Sequence, residues 1–319
     1  MSRHTPRLRF FSEAMGLKPF PQWLRQARTA IIGEEDVPPS RAGLSSLAQF
    51  RPKYGPMLWA GRCPVPRTAL VTNLFNHTQT PIHEGWSTKK TQVHDFRGRR
   101  LTYNSHNGTD ISIPIGTPVL AAAPGKVVRI IREYNRGGLK IFIDHGDNLM
   151  TCTVHLAREL VSVGDSVKRG QTIAISGYSG LDALITFPWG TPHIHFNVWL
   201  NGVPVDPFPH NGQPSMWRSG DHPTPQRSVT SESADESDVD EDALNQAISD
   251  CKTASSRARM QAMPEVWRRA AEFIAEQNYY PTRFPALRNP YSTTVERTAR
   301  LDLPFSAEHF DELVFIDDL

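Results

Sequence analysis

Lys126-Val127-Val128-Arg129-Ile130-Ile131 and Leu139-Lys140-Ile141-Phe142-Ile143 are short apolar runs separated by a turn holding Gly137 and Gly138. Gln171-Thr172-Ile173-Ala174-Ile175 is a third run of the same kind. Short runs rich in β-branched residues, punctuated by Gly, Asp and Asn, predict strands joined by turns, so Gly98 to Phe208 reads as a mainly β, antiparallel architecture. Working outward, Pro38, Pro39, Pro52, Pro56, Pro64, Pro66 and Pro81 break any long periodic element, which predicts a Pro-rich N-terminal extension over 1–95 with a short helix from Trp23 to Ile32. The strand-rich core is expected over 96–215. An acidic, Ser-rich linker over 216–242, disordered from 219, follows, with no Lys or Arg in 231–242. A helical C-terminal region over 243–319 completes the chain: Val266, Ala270, Phe273 and Ile274 suit one amphipathic helix between Asp242 and Tyr280, ended by Pro281 and Pro285.

The same core carries five chemically useful side chains in three strings. They are His106 and Asp110 in His-Asn-Gly-Thr-Asp, His155 in Thr-Val-His-Leu, and His193 with His195 in Pro-His-Ile-His-Phe. Side chains alternate across a strand, so His193 and His195 share a face. Imidazole and carboxylate are what zinc needs for a tetrahedral site with one position open to water.

Further elements occur in order around those strings: Gly116-Thr117-Pro118-Val119, Ala123-Pro124-Gly125-Lys126-Val127, Asp144-His145-Gly146, and Val163-Gly164-Asp165-Ser166-Val167-Lys168-Arg169-Gly170-Gln171. With them the stretch from His106 to about Phe208 resembles the lysostaphin/LytM-type zinc metalloendopeptidases, which cut peptides in or attached to bacterial peptidoglycan. The resemblance implies one Zn2+ per chain on His106, Asp110 and His195, catalytic roles for His155 and His193, and peptidoglycan or a peptide as substrate. Three protein ligands leave the fourth zinc position to water, whose pKa falls from about 16 to about 7. An unligated imidazole, titrating near about 6.5, can accept that proton and return it to the leaving amine. The chain departs from the family pattern at Leu181-Asp182-Ala183-Leu184-Ile185-Thr186-Phe187-Pro188-Trp189, where a short turn is usual. Phe187 and Trp189 are expected along the substrate groove. Asn197 replaces a common acidic residue. Extensions in the family can occlude the site, which puts the N-terminal segment over the groove with Trp86 or a neighbour at its rim. The alternative reading is a catalytically silent activator of cell-wall hydrolases, which would normally have lost ligands. A zinc hydrolase acting on another bond, such as a peptide amidase, would need the same set.

A net charge of +2 over 319 residues makes no case for nucleic acid, although residues 1–100 are basic. Cys63, Cys152 and Cys251 lie far apart and imply no disulfide framework, with Cys152 expected in the core. His145 is expected to be structural, and His77, His83, His94, His210, His222 and His309 to be surface residues. The N-terminus lacks a signal-peptide apolar run and no membrane-spanning stretch occurs, which reads as cytoplasmic against the extracytoplasmic habit of the family.

Overall fold

A computed structural model describes residues 8–9, 11–17, 20–34, 36–78, 84–91, 93–227, 234 and 236–319. Its strands are β1 (Thr68–Asn73), β2 (Thr109–Ser112), β3 (Pro118–Leu120), β4 (Gly125–Glu133), β5 (Gly138–Asp144), β6 (Leu149–Glu159), β7 (Ser166–Val167), β8 (Thr172–Ser176), β9 (Ile194–Leu200), β10 (Val203–Val205) and β11 (Glu312–Phe315). All join one sheet in the order β11-β1-β2-β9-β6-β5-β4-β7, with β10 on β9 and β8 bridging β3 and β6. The helices are α1 (Phe11–Met15), α2 (Phe20–Ile32), α3 (Gly55–Trp59), α4 (Leu181–Thr186), α5 (Glu241–Ser249), α6 (Ala254–Gln261) and α7 (Val266–Tyr279). Among the described residues no helix is long and apolar enough to cross a membrane.

Both faces of the central strands are covered, which is why β5 is largely apolar and β6 is buried from Leu149 to Ala157. On one face Ile141, Ile143, Phe196 and Val198 pack with Trp217, Leu301 and Phe305. On the other, Phe142, Cys152, Val154 and Trp199 lie under Leu244, Ile248, Phe273 and Ile274 of the α5–α7 layer.

Charge also fixes that layer to the sheet. Arg129 of β4 meets Glu272 of α7 at 2.5 Å, and fully buried Lys140 donates to Glu133 at 2.6 Å with its ammonium 3.9 Å from the Tyr279 ring. Burial opposes both charges of the Lys140–Glu133 pair. For Glu133 the attraction of Lys140 and Arg129 outweighs it and holds the carboxyl at about 2, below its ordinary 4.5. A depressed carboxyl contributes stability above its unfolded pKa and loses it as pH falls through the folded value. Thermal stability should therefore drop between about pH 4.5 and about pH 2, and less steeply in Glu133→Gln. Lys140→Met should cost about 3–5 kcal/mol in a denaturant titration at neutral pH, because it strands a buried carboxylate.

The architecture corrects five expectations. The sheet is mixed, since β11 runs parallel to β1 with Thr68 opposite Glu312. The expected extension over 1–95 includes β1, whose six residues are all buried inside the sheet between β2 and β11. The single helix expected from Asp242 to Tyr280 is three helices, separated at Asp250–Thr253 and at Ala262–Glu265, where Pro264 interrupts helical bonding. The C-terminal region is helical only to Tyr279, apart from short 3-10 turns, and then crosses the molecule to supply β11. Much of the linker is packed as well: Met216 and Trp217 are core residues, Ser237 donates to Asp144, and Asp240 caps α5 by accepting from the Ala243 amide at 2.9 Å. Residues 228–233 and 235 of that linker, and His83, lie outside the described residues.

Candidate metal centre

The sheet's helix-bearing face carries the chemistry. In β9, His195, Asn197 and Trp199 alternate onto this face, and β2 sets Asp110 directly opposite His195. His106 precedes β2 and turns back onto the same point. Its Nε2 lies 3.0 Å from Asp110 Oδ1 and 3.1 Å from His195 Nδ1. His195 Nδ1 lies 2.8 Å from the same carboxylate oxygen. These three atoms are the group of ligand-type atoms that converge closely enough to hold a metal ion among the described residues.

The donor set fits such an ion. His106 Nδ1–H donates to the Leu74 carbonyl at 2.6 Å, which leaves the lone pair of Nε2 pointing at a carboxylate oxygen. Two groups presenting electron pairs to each other in a buried pocket are satisfied by a cation between them. All three residues are at least nine-tenths buried. Burial alone would raise the Asp110 carboxyl, but positive charge at His106 and His193, with hydrogen bonds from protonated His106 and His195, holds it well below the ordinary carboxylate range, the same pull a cation among these atoms would exert. His195 is lowered by burial, an effect that Asp110 partly offsets.

His155 and His193 stand beside this cluster. Their rings are 4.8 Å apart, and His193 Nε2 is 3.4 Å from Asp110 Oδ1. Each has its Nδ1 against a backbone carbonyl, Ser179 O for His155 at 2.8 Å and Thr191 O for His193 at 2.9 Å. Both therefore keep Nε2 for other work. Burial and neighbouring His193 push His155 well below its usual range.

A regular strand would not place His155 here. Val154 packs on the helix side and Leu156 on the other, although neighbours two apart normally share a face. The explanation is a bulge: Leu139 and Ile141 of β5 pair with Leu156 and Thr153, so β6 carries one extra residue. His155 takes φ +62, a left-handed conformation costing a non-glycine residue about 1–3 kcal/mol. Its amide donates to Gly137 O at 3.0 Å and its carbonyl accepts from Ser179 N at 3.3 Å, so both neighbours enforce the turn.

Two residues in the expected N-terminal extension belong to the same site and carry no motif that would reveal them. A second bulge, between Val71 and Asn73 of β1, puts Asn73 opposite Asp110. Asn73 Nδ2 donates to Asp110 Oδ2 at 2.8 Å and to Gln49 Oε1 at 3.2 Å. Asp110 thus offers Oδ1 to the cluster while Oδ2 is held from behind. Asn73→Ala should weaken metal affinity by about 10–100-fold, the usual cost of losing an outer-shell partner. Chelator competition measures it, and unchanged affinity would leave Asn73 as packing only.

The other residues singled out from the sequence sort by their contacts. His145 is buried and bonded through both nitrogens, to Pro124 O and Thr151 Oγ1 at 2.8 Å each, and burial lowers it to about 4. His94 and His222 are exposed. His77 is not isolated: it stacks on His210 at 3.5 Å and meets Asp206 at 2.9 Å. Asn197 ties β9 to the helices, donating to Asn107 O at 2.8 Å and accepting from the Tyr279 hydroxyl at 2.8 Å. The residues before and after Pro188 form α4 and a partly exposed aromatic cluster, in which Phe187 lies 5.2 Å from Trp59 and 5.7 Å from Phe11. All three cysteines are free, with Cys152 buried.

Known proteins share this segment. Residues 104–207 match Peptidase family M23. An uncharacterized metalloprotease of Haemophilus influenzae is 32% identical over 147 residues, covering 46% of this chain and 26% of that protein. Peptidoglycan DD-endopeptidase ShyA of Vibrio cholerae is 40% identical over 106 residues, 33% of this chain and 23% of that one. Lysostaphin of Staphylococcus staphylolyticus is 34% identical over 125 residues, 38% of this chain and 25% of that one. The chain thus spans about a quarter of the length of these curated relatives. Over residues 104–207, which contain all five of the clustered His and Asp residues, the chain carries a Peptidase family M23 domain.

Proposed function

We propose that the protein is a zinc-dependent metalloendopeptidase that hydrolyses peptide bonds in peptidoglycan stem peptides or cross-bridges, with 96–215 as its catalytic unit. The observation that carries this reading is the convergence of His106 Nε2, Asp110 Oδ1 and His195 Nδ1 within 3.1 Å of one another, beside two imidazoles whose Nδ1 atoms are held by backbone carbonyls. His106, Asp110 and His195 would hold the zinc. When bound, zinc supplies Lewis-acid chemistry that makes water a nucleophile near neutral pH. His155 and His193 would take up a proton at Nε2 and hand it to the leaving amine, each ring kept in orientation by its Nδ1 bond to a backbone carbonyl. Both imidazoles are buried, with the Tyr178 ring 5.2 Å from His155 and 4.8 Å from His193, which limits access of bulk water to those nitrogens.

The test is elemental analysis of the purified chain together with hydrolysis of purified peptidoglycan before and after chelation. One zinc per chain, with activity lost to the chelator and restored by zinc, is the expected result. Zinc bound without any cleavage would favour a silent binding protein instead.

The N-terminal segment is part of the proposal as a restriction on the groove. Phe11 of α1 packs on Phe187 and Trp59, and the Ala14 carbonyl accepts from the Tyr178 amide at 2.8 Å. Because β1 belongs to the sheet, the informative deletion stops well before it. Removing residues 1–17 should raise peptidoglycan hydrolysis with zinc still bound. A folded, zinc-loaded deletion without gain would leave the segment as packing.

A further inference from the structure

Arg136 is the buried charge that nothing above employs. It sits in the turn between β4 and β5, is only 7% exposed, and has no Asp or Glu within 4.0 Å among the described residues. Its Nη1 reaches Ser40 Oγ at 3.4 Å and Asn135 O at 3.1 Å, while Nε has no partner. The rings of Trp86 and Tyr280 flank the guanidinium at 5.7 and 5.6 Å. Those rings hold it in place but accept no hydrogen bond.

An unpaired guanidinium is costly to bury, and buried charges are normally held with a counter-charge. Arg136 lines a cavity of about 50 Å³, room for a small charged group well beyond the ~10–15 Å³ needed for one water. A second unpartnered polar atom lies in the same wall. Asn278 is 5% exposed and lines the cavity; its Nδ2 donates to Gly202 O and Ile274 O, which fixes the amide orientation and leaves Oδ1 unpartnered. The cavity thus offers a positively charged N–H donor.

Its position ties it to the candidate metal centre. Ser105 and Asn107, the neighbours of His106, line the cavity. Gly137, next after Arg136, accepts the His155 amide, and a Cβ on it would come 3.7 Å from His155 Cε1. The remaining wall is Trp86 from the N-terminal segment and Tyr279 and Tyr280 at the end of α7. Both flanking segments therefore wall this cavity.

The geometry points to a carboxylate subsite: Arg136 binds a carboxylate of the substrate peptide close to the scissile bond. This rests on the peptidase reading and narrows it to peptides bearing a free carboxylate near the cleaved bond. The guanidinium fork matches a carboxylate in two parallel hydrogen bonds, which an ammonium cannot reproduce.

The test is calorimetric titration of the full, zinc-loaded chain with a synthetic stem tripeptide, too short to be cleaved, carrying its carboxylates either free or amidated. The free acid should bind about 10–100-fold tighter, the usual worth of hydrogen bonds to a charged group. Arg136→Gln should bring that ratio to about one, and Arg136→Lys should leave it in between. Equal affinity of the wild type for the two forms, binding of neither, or an unchanged ratio in a folded Arg136→Gln would each overturn the subsite. The wild-type comparison stands even if a variant fails to fold. Cleavage of peptidoglycan without any acid preference would sink the subsite alone, whereas absence of both zinc and cleavage would sink the peptidase reading.

Discussion

His195→Ala is expected to release the metal and abolish hydrolysis. His195 Nδ1 is one of three converging ligand atoms, 2.8 Å from Asp110 Oδ1 and 3.1 Å from His106 Nε2. Its removal leaves two protein ligands where a stable open site needs three. Metal affinity should fall by more than the ~10–100-fold that an outer-shell change costs. The same loss is expected of His106→Ala and Asp110→Ala. Fold stability need not follow, because the strands around the site are closed by Ile111, Ile194 and Phe196 rather than by the ion. Zinc content after dialysis against a weak chelator is the readout, with circular dichroism to confirm folding. Full occupancy in folded His195→Ala would contradict the ligand assignment.

Loss of either unligated imidazole should separate chemistry from metal binding. His193→Ala and His155→Asn should keep zinc while slowing turnover by about 10²–10⁴-fold, the usual contribution of a positioned acid or base. Asn suits position 155 because it tolerates the left-handed φ of +62 better than Ala, so a loss reflects the imidazole rather than the backbone. A zinc-loaded variant with undiminished kcat would remove that histidine from the proton path. Zinc lost along with activity in His193→Ala would make it a ligand instead.

Local pattern carried much of this site and little of its scaffolding. Spacing sufficed to put His193 and His195 on one face, since alternation along a strand is a property of the strand alone. Apolar runs bounded by Gly sufficed for β4, β5 and β8. The place of His145 was legible too, from an Asp-His-Gly turn between apolar strands. The side that His155 faces was not, because one extra residue in β6 is defined only by counting against β5. Asn73 was hidden for the same reason: its partner Asp110 lies across a sheet pairing that its own neighbours do not announce.

The division follows from the range of the interactions. Residue type and short-range periodicity set the β character of the core, the order of the His and Asp strings and the amphipathic stretch that becomes α7. Closure of the chain on itself set the parallel β11, the membership of β1 in the sheet and the three-helix layer over Phe142, Cys152 and Trp199. It also placed Arg136 between Trp86 from one end of the chain and Tyr280 from the other, with no Asp or Glu within 4.0 Å among the described residues. Register, bulges and buried charge pairing depend on which distant segment comes to lie alongside, and a reading confined to neighbours in sequence contains no term for that.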